Sequence, residues 1–95
     1  MIQPENLRVA IAWYRREQWP LLRAMSADTD KLEATYEEWE AFATKHVRDL
    51  EARGIRVHKI DVEVEALARW CEREGRAVDG DARSDYAMRG LGREL

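Results

Sequence analysis

The run TYEEWEAFATKHVRDLEARG, Thr35 to Gly54, carries a helix start, an apolar stripe and a helix stop together, and the rest of the chain has to fold around it. Thr35 and Glu38 have the spacing of a capping box. The hydroxyl can accept from the Glu38 N–H, and the Glu38 carboxylate can reach back to the Thr35 N–H. Glu37, Glu38 and Glu40 place negative charge at the positive end of the helix dipole. At about 100° per residue, Tyr36, Trp39, Ala43, His46, Val47 and Leu50 share one face, with Phe42 at its edge. Gly54 supplies the left-handed residue that ends helices. A helix with one apolar face needs a core to lie on.

The segments before it are less regular. Met1 to Asn6 reads as a lead-in. Leu7 to Tyr14 fits two periods. As a strand it puts Val9, Ile11 and Trp13 on one face and Arg8, Ala10, Ala12 and Tyr14 on the other. As a helix it would align Leu7, Ile11, Tyr14, Gln18, Leu21 and Met25. That helix would hold Pro20 in its interior at a cost of about 3 kcal/mol, and Val, Ile, Trp and Tyr suit a pleated surface. The strand is preferred. A short helix then covers Arg16 to Ser26, with Pro20 in its first turn, and the polar run SADTDKLEA connects it to the long helix.

After Gly54, Ile55 to Val62 is the second strand, with an apolar face that changes along its length as either a bulge or a half-buried strand would make it do. Asp61 is placed to cap a third helix whose stripe is Val64, Leu67, Ala68 and Cys71, flanked by Trp70 and ended by Gly75. Asp79 or Asp81 can cap a last short helix, whose end Gly90 and Gly92 would loosen. The expectation is an α+β fold: a two-stranded sheet and about four helices in the order β-α-α-β-α-α. Ninety-five residues suit one compact domain spanning 1–95, with frayed termini.

Charge narrows the choice of partners. The chain is 37% charged with both signs interspersed and carries a formal charge of −3, so nothing electrostatic points to nucleic acid or an anionic membrane. The single cysteine, Cys71, cannot close an internal disulfide, and the apolar run near the N-terminus is too short to span a bilayer. A cytoplasmic protein is expected.

The densest unusual cluster is Trp13–Tyr14–Arg15–Arg16–Glu17–Gln18–Trp19. Trp13, Arg15, Arg16 and Trp19 could present aromatic walls and two guanidinium groups to an anion or to a partner's carboxylate. The competing reading makes both tryptophans core anchors and lays the arginines along the surface. His46, His58 and Cys71 lack ligand spacing, with neither a CxxC nor an HxxxH, so no metal is expected. Cys71 falls on an apolar stripe beside Glu72 and Glu74, which would oppose thiolate formation. No glycine-rich phosphate loop occurs, and no cofactor or catalytic residue is implied.

Three stretches, WYRREQW, TYEEWE and RWCEREGRAVDGDARSDYA, together resemble a small family of bacterial proteins. The resemblance covers most of the chain. It implies a bacterial, cytosolic protein and brings no activity, cofactor or site residue with it. The leading expectation is a non-enzymatic module acting through protein contacts, as a homodimer or with another protein. The alternative is a binder of a small anionic ligand at the Trp13/Arg15/Arg16/Trp19 cluster.

The capping box makes one quantitative demand. Thr35→Ala should cost about 1 kcal/mol, read as a lower urea midpoint at unchanged slope.

Overall fold

The computed structural model describes residues 7–94, and the side chains of 7–92; the lead-in at 1–6 lies outside them. The elements are β1 (Arg8–Trp13), α1 (Trp19–Met25), α2 (Tyr36–Ala52), β2 (Arg56–Asp61), α3 (Val64–Glu74) and α4 (Gly80–Glu94), with 3-10 turns at Arg16–Gln18 and Thr29–Lys31. The fold is α+β in the order β-α-α-β-α-α. The first segment is a strand, as its β-branched and aromatic residues demand, and Pro20 stands in the first turn of α1.

The two strands pair in parallel, from Arg8 opposite Arg56 to Trp13 opposite Asp61. The Arg56 N–H bonds to the Leu7 carbonyl and the Val62 N–H to the Trp13 carbonyl, each at 3.0 Å, and these two bonds bracket the ladder. No bulge interrupts it between Arg56 and Asp61. The changing apolar face of β2 comes from burial, because Ile60 and then Val62 sink into the core while Arg56 and Lys59 stay exposed.

Helices cover both faces of this ribbon. On the face of Val9, Ile11 and Trp13, α2 lies close, with the Trp39 ring 5.0 Å from that of Trp13. On the face of Ala10, Ala12 and Ile60 lies α4. A Cβ added at Gly90 would stand 2.6 Å from Ile60 Cγ2, so glycine is what lets this helix press onto the sheet. Ala10 and Ala12 serve the same end from the strand side by keeping that face shallow.

Several local details differ from the sequence expectation. The Glu38 N–H does donate to Thr35 Oγ1 (3.1 Å), but the Glu38 carboxylate accepts from the Thr35 hydroxyl (3.0 Å), so the pair closes on itself. The buried stripe of α2 is Trp39, Ala43, Val47 and Leu50. Its centre lies near Ala43, which leaves His46 about 60° and Phe42 about 100° to one side. Both are exposed, and their rings stack at 6.4 Å. Helix α3 begins at Val64 behind Glu63, with no side-chain cap; Asp61 ends β2 and accepts from Arg15 instead. Helix α4 is fifteen residues long and runs through Gly90 and Gly92; at Gly90 the close contact with Ile60 outweighs the poor helix propensity of glycine. Its start is capped by Asp79, whose Oδ1 accepts from the Ala82 N–H at 2.9 Å.

One ion pair ties the connector after α1 to the first turns of α4. Arg83 donates from Nη1 to Asp28 Oδ1 (2.8 Å) and from Nη2 to Asp28 Oδ2 (2.7 Å), and Nη1 also reaches Ser26 Oγ (3.3 Å). The same carboxylate accepts from the Gly80 N–H at 3.0 Å, at the start of α4. The Asp28 and Arg83 side chains are only 17% and 12% exposed, so this bidentate contact is largely shielded from water. Among the described residues no helix is long and apolar enough to cross a membrane.

The Arg83 hydrogen bonds hold the Asp28 carboxyl below its ordinary value of 3.8. Its contribution to stability is therefore present above about pH 4 and is lost as pH falls through the folded-state value. Asp28→Ala should cost about 3 kcal/mol at neutral pH by leaving Arg83 unpaired. Urea midpoints measured down the acid range should also fall less steeply below about pH 4 in the variant than in the wild type.

Candidate functional site

In a parallel ladder the N–H and C=O of one residue point to one neighbour and those of the next residue point away. The bonds at Leu7 and Trp13 set the phase: the backbone groups of Val9, Ile11 and Trp13 face β2, and those of Arg8, Ala10 and Ala12 face outward. Among the described residues, no backbone or side-chain group pairs with the outward amides and carbonyls of Ala10 and Ala12.

That open edge is the floor of a groove of about 360 Å³. One wall is α2, through Trp39, Phe42, Ala43 and His46, and the other is the start of α4, through Gly80, Arg83 and Ser84. Lys31, Leu32 and Glu33 close the end beside Tyr14. Phe42 stands 63% exposed on the rim. Tyr14 is buried against Trp19 (6.1 Å) and Trp39 (5.4 Å), and its carbonyl accepts from the Tyr36 hydroxyl at 3.0 Å. Burial pushes the Tyr14 phenol well above its ordinary value, with Arg83 partly opposing and Asp28 reinforcing that shift. It stays neutral throughout the physiological range. The groove therefore sets aromatic and aliphatic side chains of α2 beside unpaired backbone on its floor, with charge at its end (Lys31, Glu33) and on the α4 wall (Arg83).

The cluster singled out from sequence is divided by the fold. Trp13 and Trp19 are both gathered onto Trp39, at 5.0 and 5.4 Å. Trp19 is buried and donates from Nε1 to the Glu33 carbonyl (3.2 Å), while Trp13 is half-buried with Lys59 Nζ 4.4 Å from its ring centre. Arg15 is committed to Glu17 (2.9 Å) and Asp61 (3.4 Å), with Glu63 at 3.9 Å. Its guanidinium is held above its ordinary value, first by the Glu17 hydrogen bond. Arg16 pairs with Glu37 and lies 5.0 Å from the centre of the Tyr36 ring. None of the four lines the groove. The tryptophans meet through a fifth residue, and the arginines turn outward to carboxylates.

The remaining candidates are dispersed. His46 is exposed on α2, His58 sits half-buried on β2, and Cys71 is buried in α3. Among the described residues, no three His, Cys, Asp or Glu side chains gather as a metal would require. The Cys71 thiol is raised, chiefly by burial; Asp79 adds to the shift and Arg76 opposes it, so the flanking Glu72 and Glu74 are not its cause.

Sequence reasoning placed Phe42 at the edge of the helix stripe but assigned it no role, and it missed Tyr14, Arg83 and the strand edge. The signal for the edge was present in RVAIAW, a strand without proline and without charge after Arg8. Comparisons of the chain with protein-family models, with curated proteins and with solved structures return no match.

The two large aromatics of α2 should separate cleanly. Trp39, 9% exposed and touching four other rings, should cost about 3–5 kcal/mol as Trp39→Ala. Phe42→Ala should stay within about 0.5 kcal/mol of wild type, both read from thermal and urea melts.

Proposed function

We propose that this chain is a non-enzymatic protein-interaction module that takes an extended backbone onto the open edge of β1. The observation that carries this reading is the outward-facing backbone of Ala10 and Ala12, unpaired among the described residues, at the floor of a groove walled by Trp39, Phe42 and Ala43 on one side. Strand addition draws affinity from main-chain hydrogen bonds and selectivity from pockets for alternate side chains. The slot offers both, with Phe42 as an exposed aromatic anchor on its rim. No nucleic acid or membrane is needed to account for the surface, whose charges are of both signs with a formal excess of −3.

The reading in which Trp13, Arg15, Arg16 and Trp19 bind a small anion has less support. Both arginines already hold carboxylates, and a ligand would have to displace them.

An amide NMR titration separates the two. A synthetic hexapeptide of alternating valine and threonine should move the Ala10, Ala12 and Phe42 resonances, and Ala12→Pro should abolish the response. The Ala12 N–H points away from β2, so proline there spares the internal ladder. Citrate should leave Arg15 and Arg16 unmoved. Shifts centred on those two arginines with citrate, and none at Ala10 with the peptide, would reverse the ranking.

A further inference from the structure

The two edges of the sheet are protected to different degrees. The outer edge of β2 presents the backbone of Val57, Lys59 and Asp61, and the strand carries charge at Arg56, Lys59 and Asp61. Charged side chains of that kind blunt an edge against pairing. Strand β1 has no charge from Val9 to Trp13, no proline and no bulge. Among the described residues, its edge is the less protected of the two.

The geometry points to a second copy of this chain as the occupant, joined through antiparallel pairing of the two β1 strands about a two-fold axis at Ile11. This rests on the strand-addition reading above and names its partner. The register follows from which backbone groups face outward. In an antiparallel pair, residues that exchange both hydrogen bonds must each present their groups to the other strand. Ala10 opposite Ala12 of the second copy satisfies that, and so does its symmetry mate. Ile11 then meets Ile11 of the second copy across the axis, in the close non-hydrogen-bonded position, and Val9 meets Trp13 of the second copy. Aromatic and β-branched side chains placed opposite each other in this way stabilise a sheet. The product is one four-stranded sheet with β2 at each outer edge.

The faces and the charges agree with this register. Because paired residues point to the same face, the α2 helices of both copies lie on one side and the α4 helices on the other. Phe42 and His46, which line the groove beside Ile11, come next to their counterparts. Arg8 comes opposite Tyr14 of the second copy, at the groove end that holds Glu33. Among the described residues neither Arg8 nor Glu33 has a side-chain ion pair, so each is available to the other across the interface. Lys31 stands at the same end and offsets part of that attraction.

Sedimentation velocity of the full chain should show a dimer whose dissociation constant rises at least about tenfold in Phe42→Asp, with an unchanged circular dichroism spectrum. Arg8→Glu and Glu33→Arg should each weaken it about threefold, and the double reversal should restore it. Ile11→Cys should form a covalent dimer on mild oxidation, since opposed residues at this position have Cα atoms about 4.5 Å apart. Val9→Cys and wild type, whose Cys71 is buried, should not. A wild type that stays monomeric at high micromolar concentration overturns the self-pairing. So does a dimer indifferent to Phe42→Asp, or one linked through Val9→Cys and not through Ile11→Cys. A monomer that still binds the valine–threonine hexapeptide would sink self-pairing alone and leave the module reading in place. A monomer that does not bind it would remove both.

Discussion

A parallel pair of strands cannot be joined by a turn, and most of this architecture follows from that restriction. The chain must travel back the full length of β1 before β2 can begin, and α1 and α2 make that journey. The return path lays the apolar stripe of α2 across one face of the ribbon. It also brings Trp39 over Trp13 at one end and delivers Ile55 to the start of β2 at the other. The opposite face is left bare by this route. Helix α4 has to cover it, and the small residues Ala10, Ala12 and Gly90 set how near it can come.

Two kinds of contact hold this arrangement, and they fail differently. The aromatic cluster around Trp39 is non-directional burial, so removing its centre leaves a void that neighbouring rings cannot fill. The Asp28–Arg83 pair is directional. It fixes the connector after α1 to the start of α4 through a bidentate contact and a backbone cap on Gly80. Arg83 of that pair also lines the groove. Acid should therefore weaken this contact, and with it the groove wall that Arg83 lines.

A two-stranded ribbon has two edges and no inner strand, so every outward amide needs water or another partner. The charges of β2 make its edge a poor template. The alanines of β1 leave its backbone accessible between two helix walls, and Phe42 adds apolar surface that the monomer does not bury. The same small side chains that allow α4 to approach the sheet also leave room at the edge. Packing of the fold and exposure of the site thus have a common cause.

What the sequence determined by itself was local. The capping threonine, the tryptophan and alanine spacing of α2, Gly54 and Gly75 as helix stops, and Pro20 in a first turn all act through neighbours a few residues away, and each is where its chemistry put it. The element order was legible for the same reason. Strand direction, the side of α2 that leaves His46 in water, the length of α4 and the pairing of residues 28 and 83 were decided only in the tertiary structure. Each depends on contacts between residues far apart in the chain, which no local period records. The site shows the same division. WYRREQW looked like one cluster because its residues are adjacent, yet the strand-to-helix turn sends the tryptophans inward to Trp39 and the arginines outward to carboxylates. The groove assembles from β1, α2 and α4, whose residues share no stretch of sequence, so only folding could bring them together.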